Sequence, residues 1–173
     1  MKTNVEEKDL KSGDLLICST NRLLGRMIKK VSKSKYSHTA QVIKAYGEIL
    51  VIEAQREGVN VINFETWRKK YNYNYLVARP DKTVVKDTTL FARNALSKTA
   101  LRNYDIKALF IDFPIYIYTG TWRGPKNEAE ALMENKWNCS TFTGWCFGFK
   151  EWWLKSPQNI YEDCVKSEHF KFL

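Results

Sequence analysis

"SHTAQVIKAYGEILVIEAQ", Ser37 to Gln55, decides the fold. Two runs rich in apolar and β-branched residues flank Tyr46 and Gly47, a pattern that predicts a hairpin with a two-residue turn. Such a turn fixes the register: Ala45 faces Glu48 and His38 faces Gln55, which leaves Glu53 diagonally across from His38 on the same face of the sheet. Diagonal Cβ atoms lie about 7–8 Å apart, a gap that a glutamate and an imidazole can close to a hydrogen bond. A carboxylate there fixes the ring tautomer and raises its basicity, as a general base or an imidazolium partner requires. Glu53 also ends the apolar run "ILVI", where an unpaired charge is costly to bury. The competing reading is a purely structural hydrogen bond, or two side chains that simply face solvent.

Outward from the hairpin the pattern is mixed. "GDLLICS" predicts a first strand, and "GVNVI" and "YLVAR" predict strands after the hairpin. Helical spacing appears in "FETWRKKY", in "DTTLFARNALSKTAL" behind a capping Asp87 or Thr88, in "EAEALMENKW", in "STFTGWCFGF" and in "NIYEDCVKS". "RLLGRMIKKVSK" places Leu23, Leu24, Met27, Ile28 and Val31 on one face and Arg22, Arg26, Lys29, Lys30 and Lys33 largely on the other. The expectation for this basic amphipathic helix is an apolar stripe packed on the core with solvated lysines, contact with an anionic surface being the other reading. "DIKALFIDFPIYIYTGTW", interrupted by Pro114, is compatible with core, substrate wall or loop.

The 173 residues suit one ordinary domain spanning 1–173, and with 44% hydrophobic residues and few prolines and glycines neither a disordered nor a collagen-like chain fits. No apolar run is long enough for a membrane span, and the opening residues carry no export signal, so a soluble, cytoplasmic protein is expected. In that setting the four cysteines, at 18, 139, 146 and 164, read as free thiols. Two distant histidines and no paired-cysteine motif argue against a metal, and no cofactor motif is present. The net charge of +9 hints at an anionic partner.

Among the cysteines Cys139 stands apart. It follows "KWN" at the expected start of a helix, where unpaired N–H groups and the helix dipole favour a thiolate. Cys146 lies two turns deeper, about 10 Å away along the axis, beyond reach of a disulfide. Cys146, Cys18 and Cys164 sit in apolar settings that suit inert thiols, and an ordinary buried cysteine at a helix start is the alternative for Cys139 itself.

The ordered set "GDLLI", "YSHTAQVI", "VIEAQREGV", "NYD" and "NCSTFTGWCF" resembles the circularly permuted NlpC-like branch of papain-fold cysteine hydrolases, YiiX-like proteins in particular, a group related to lecithin:retinol acyltransferase. The resemblance implies an α+β, circularly permuted papain-like fold, an antiparallel β-sheet with packed helices. It implies His38 as base, Glu53 as third member and Cys139 as nucleophile, with the Cys139 backbone N–H in an oxyanion hole. Tyr36, within the histidine motif, and Tyr104, in a Tyr-Asp pair with Asp105, are expected to contact substrate. Family members include peptidases and lipid acyltransferases. The expected reaction is therefore cysteine-dependent hydrolysis of an amide, such as a cell-wall-type peptide, with a lipid ester as the alternative. The rival from another class is a non-catalytic basic module in which "WRKKYNYNY" grips nucleic acid or anionic lipid; a solvated helix and strand edge is the preferred reading of that stretch, with no specific nucleic-acid partner.

Overall fold

The computed structural model describes residues 5–99, 107, 111–121 and 123–173. Its strands are β1 (Leu15–Ser19), β2 (His38–Ala45), β3 (Glu48–Gln55), β4 (Gly58–Asn63), β5 (Asn74–Pro80) and β6 (Phe170–Phe172). They form one antiparallel sheet in the order β4-β3-β2-β1-β5-β6. At the central hairpin Tyr46 (φ 53°) and Gly47 (φ 80°) both take the left-handed conformation of a tight primed turn. The pairing runs from Ala45 opposite Glu48 to Gln41 opposite Ile52, the register that the two-residue loop dictates.

Helices are α1 (Leu23–Val31), α2 (Phe64–Tyr71), α3 (Thr88–Leu96), α4 (Phe113–Thr119), α5 (Glu128–Glu134), α6 (Cys139–Cys146) and α7 (Pro157–Lys166). They bury both faces of the sheet. Leu15, Ile17, Ile43 and Ile52 pack with Phe142 of α6 and Ile160 of α7, while Leu16, Cys18, Val42 and Val51 pack with Phe64 and Trp67 of α2. Burial on both sides explains why these strands read as apolar runs rather than as clean alternations. Short polar side chains start the helices: Asn63 caps α2, Asp87 caps α3, Asn127 caps α5, and Asn138 and Ser156 cap α6 and α7. α5 is shorter than its periodicity suggested, because Asn135 turns left-handed (φ 49°) and Trp137 leaves the helix to join the core. Pro114 is the second residue of α4, and Ile111 and Asp112 just before it are π-helical, so the proline lies within a continuous helical stretch, behind a wider turn, rather than breaking it.

α1 departs from expectation. Its buried residues are Gly25 and Ile28, whereas Leu23, Leu24 and Met27 are 68%, 51% and 43% exposed. The apolar stripe therefore does not pack on the core. Among the described residues no helix is long and apolar enough to cross a membrane.

Candidate active site

His38 is the first residue of β2, and successive residues of a strand point to opposite faces. His38 thus points to the α2 side and Thr39 to the α6 side. The Thr39 hydroxyl donates to the backbone oxygen of Cys139 at 2.9 Å, so its other contact, 2.9 Å from Oγ1 of Thr143, is one in which Thr143 donates. Both threonines are fully buried, and together they peg the start of α6 to the start of β2. Replacing Thr39 by Val should cost about 1–3 kcal/mol, since it removes a hydrogen bond to the Cys139 carbonyl and takes from the buried Thr143 hydroxyl its acceptor; urea denaturation measures it.

The start of α6 is built by Asn138. Its Oδ1 accepts from the N–H groups of Ser140 and Thr141, each at 3.0 Å, while Thr141 Oγ1 accepts from the Asn138 N–H at 3.0 Å, a reciprocal capping box. As the first helical residue, Cys139 keeps a backbone N–H that no helical carbonyl takes. Its thiol lies close enough to the His38 imidazole for each group to shift the ionisation of the other. On the far side of that ring Nε2 donates to Oε2 of Glu53 at 2.6 Å, and the indole N–H of Trp67 donates to the same oxygen at 2.9 Å. Gln55, directly opposite in the hairpin, is farther from the ring, with its amide nitrogen 3.5 Å from Nε2. The structure thus brings Cys139, His38 and Glu53 together, His38 and Glu53 hydrogen-bonded to each other and all three buried.

Burial by itself works against every charge in this group, and the partners outweigh it. Glu53 is held below the usual carboxylate range by the charge of His38 and by hydrogen bonds from His38 and Trp67, despite complete burial. His38 is raised well above an ordinary histidine: burial opposes this, and Tyr73, Cys139 and Glu53 together overcome it. Burial likewise raises Cys139, but the charge of the neighbouring His38 above all brings it below an ordinary thiol. Burial pushes the other three thiols the opposite way, Cys18 and Cys146 strongly and Cys164 up to about 12. The environment favours a thiolate at Cys139 alone among the four.

Two residues that the sequence did not single out complete this group. Trp67 holds Glu53 from α2, and Tyr73 stacks on the His38 ring, with centroids 5.4 Å apart and planes 18° from parallel. "WRKKYNYNY" is accordingly no exposed stacking strip: Trp67, Tyr71, Tyr73 and Tyr75 pack on one another, and Arg68 and Lys69 both pair with Glu65. Tyr36 is not brought to the triad; its ring lies 4.7 Å from that of Tyr161 on α7, and burial followed by Tyr161 pushes its hydroxyl up to about 12. Tyr104 and Asp105 lie outside the described residues. A cleft of about 170 Å³ reaches His38 between Thr20, Arg22, Leu24, Tyr71 and Tyr73.

No protein-family model and no curated protein matches this chain. Among solved structures it is similar to the crystal structure of the metalloprotein yiiX from Escherichia coli O157:H7, with a TM-score of 0.54 and 16% identity over 94% of this chain and 96% of that one. The chain shares the yiiX fold. That likeness raises the question of a metal here. Among the described residues no three His, Cys, Asp or Glu side chains gather as ligands, and His38 Nε2 is already taken by Glu53. Cys139, His38 and Glu53 do not converge as a ligand set, so these described residues do not fit a metal.

Proposed function

We propose that the chain is a cysteine-dependent hydrolase, a peptidase or amidase with a permuted papain-like arrangement, that acts through Cys139, His38 and Glu53. One observation carries the reading: a buried thiol at a helix start, next to an imidazole that brings it below its ordinary pKa and whose Nε2 lies 2.6 Å from a buried carboxylate. With Nε2 bound to Glu53, Nδ1 is the nitrogen left to take the thiol proton. The thiolate attacks the carbonyl carbon of an amide, and the carbonyl oxygen gathers negative charge against the Cys139 backbone N–H. The imidazolium then protonates the leaving amine, giving an acyl-enzyme. Water, deprotonated by His38, cleaves the thioester and returns the thiol. Glu53 orients the ring throughout and stabilises its charged form, and Trp67 fixes the carboxylate that does so.

An amide, such as a cell-wall-type peptide, is the favoured substrate. A lipid ester would pass through the same steps, and the half-exposed Leu24 on the wall of the cleft is the observation that speaks for it.

Iodoacetamide near neutral pH tests the assignment, because exposure and thiolate character point to different residues. Cys146 is the most accessible of the four cysteines, while Cys139 is only 5% exposed. Peptide mapping should nonetheless find Cys139 modified first, with a rate that already levels off below the pH of about 8.5 at which a free thiol ionises. Labelling of Cys146 ahead of an inert Cys139 would overturn the proposal.

A further inference from the structure

α1 is seated on the body of the protein through a narrow line. A Cβ at Gly25 would come within 2.2 Å of the Thr20 methyl and 3.0 Å of the Thr20 carbonyl oxygen, so glycine is what lets the helix lie this close to the end of β1. Ile28 continues the contact one turn on. At about 100° per residue, Leu23 and Met27 lie far round the helix from Gly25, which is why its most apolar arc faces outward. Arg26 and Lys30 border that arc and are exposed. At the end of the helix Lys33 lies 5.9 Å over the ring of Tyr118 on α4, itself 75% exposed. From Arg22 to Lys35 the chain carries six cations and no carboxylate.

We propose that this face docks on an anionic lipid bilayer. Leu23 and Met27 enter the acyl boundary, Arg26, Lys30 and Lys33 meet the phosphates, and Tyr118 sits at headgroup level, the amphipathic position that aromatic rings with a polar tip prefer. The charge pattern selects this occupant. A nucleic acid would use the cations and leave Leu23, Leu24 and Met27 in water, and a second copy would bring two carboxylate-free cationic helices together. Leu24, beside this arc, lines the cleft that reaches His38, so docking turns the mouth of the cleft toward the bilayer. The proposal stands whether or not the catalytic reading holds.

Co-sedimentation of the full chain with vesicles tests it at physiological salt. The protein should bind vesicles of equal parts phosphatidylglycerol and phosphatidylcholine and leave pure phosphatidylcholine unbound. Leu23→Ser with Met27→Ser, and separately Arg26→Glu with Lys30→Glu, should each weaken binding about tenfold or more. Both pairs are exposed, and unchanged circular dichroism and thermal unfolding of either one suffice to read the result. Undiminished vesicle binding by the Leu23→Ser, Met27→Ser protein overturns the proposal. So do equal binding to both vesicle types, a preference for nucleic acid over the mixed vesicles, and a dimer that forms through this face and binds no vesicles.

Discussion

Replacement of Cys139 by Ala is expected to abolish hydrolysis, and replacement by Ser to lower kcat/KM by about 10³-fold or more, since a hydroxyl in the same place lacks the ready ionisation of the thiol. The fold should tolerate both, because what anchors the start of α6 is the Asn138 cap and the Thr39 bond to the Cys139 carbonyl, neither of which uses the sulfur. Glu53→Gln is the more informative partner. The amide can still accept the Trp67 N–H but no longer stabilises an imidazolium, so activity should fall by about 10²–10⁴-fold, with the acid limb of the pH profile moving up as Cys139 loses its charged neighbour. Combining Cys139→Ser with Glu53→Gln should cost little more than the larger single loss, the mark of residues that act as a unit. Purified variants assayed on one activated peptide amide and one activated ester measure this. Full activity in Glu53→Gln would reduce the His38–Glu53 pair to a structural hydrogen bond.

The hairpin that carries this pair was legible because a two-residue loop leaves no freedom in register: once Tyr46 and Gly47 turn, the diagonal placement of Glu53 and His38 follows, and the structure closes that diagonal to 2.6 Å. Glu53 was legible for an energetic reason, as a carboxylate at the end of an apolar run must find a partner. Cys139 was legible as a helix start, although its cap, Asn138, was visible only as the residue before it. Trp67 and Tyr73 could not be read in the same way. They reach Glu53 and His38 through the packing of α2 and β5, and nothing in local spacing says that an indole fourteen residues from a glutamate will donate to it.

α1 shows the opposite limit. Periodicity locates an apolar arc correctly but does not say which way the helix is turned when it lands. Here a close approach at Gly25 sets the rotation: the core contact runs through a residue with no side chain and through Ile28, and the larger apolar residues are left outside. The expectation of a core-facing stripe assumed that the most apolar line is the contact line. The aromatic segment before residue 123 is described only in part, and there α4 carries the exposed ring of Tyr118 beside the same cationic helix.

Replacement of His38 by Ala should destabilise the protein by about 3–5 kcal/mol at pH 7, because Glu53 would remain buried without its cationic partner. Already in the native protein Oε1 of Glu53 has no hydrogen-bond partner, so the carboxylate depends on what Oε2 receives. The pH dependence separates this cause from simple loss of packing. In the native protein Glu53 lies below its unfolded pKa, so its contribution is complete above about pH 4.3 and is lost as pH falls through the lower folded value; His38 lies above its unfolded pKa, so its contribution is complete below about pH 6.5 and is lost as pH rises through the higher folded value. Between those limits stability should be flat. Without His38 the burial of Glu53 is unopposed by a cation, its folded pKa rises above the unfolded one, and stability should fall steadily as pH climbs from about 4.3 toward neutrality. The double variant His38→Ala, Glu53→Gln removes the charge and should recover most of the loss at pH 7 while remaining inactive. Urea denaturation of the native protein, the single and the double variant at pH 5 and pH 7 decides the matter: a His38→Ala protein equally stable at both values, with no recovery in the double variant, would mean that Glu53 is not the buried charge on which His38 depends.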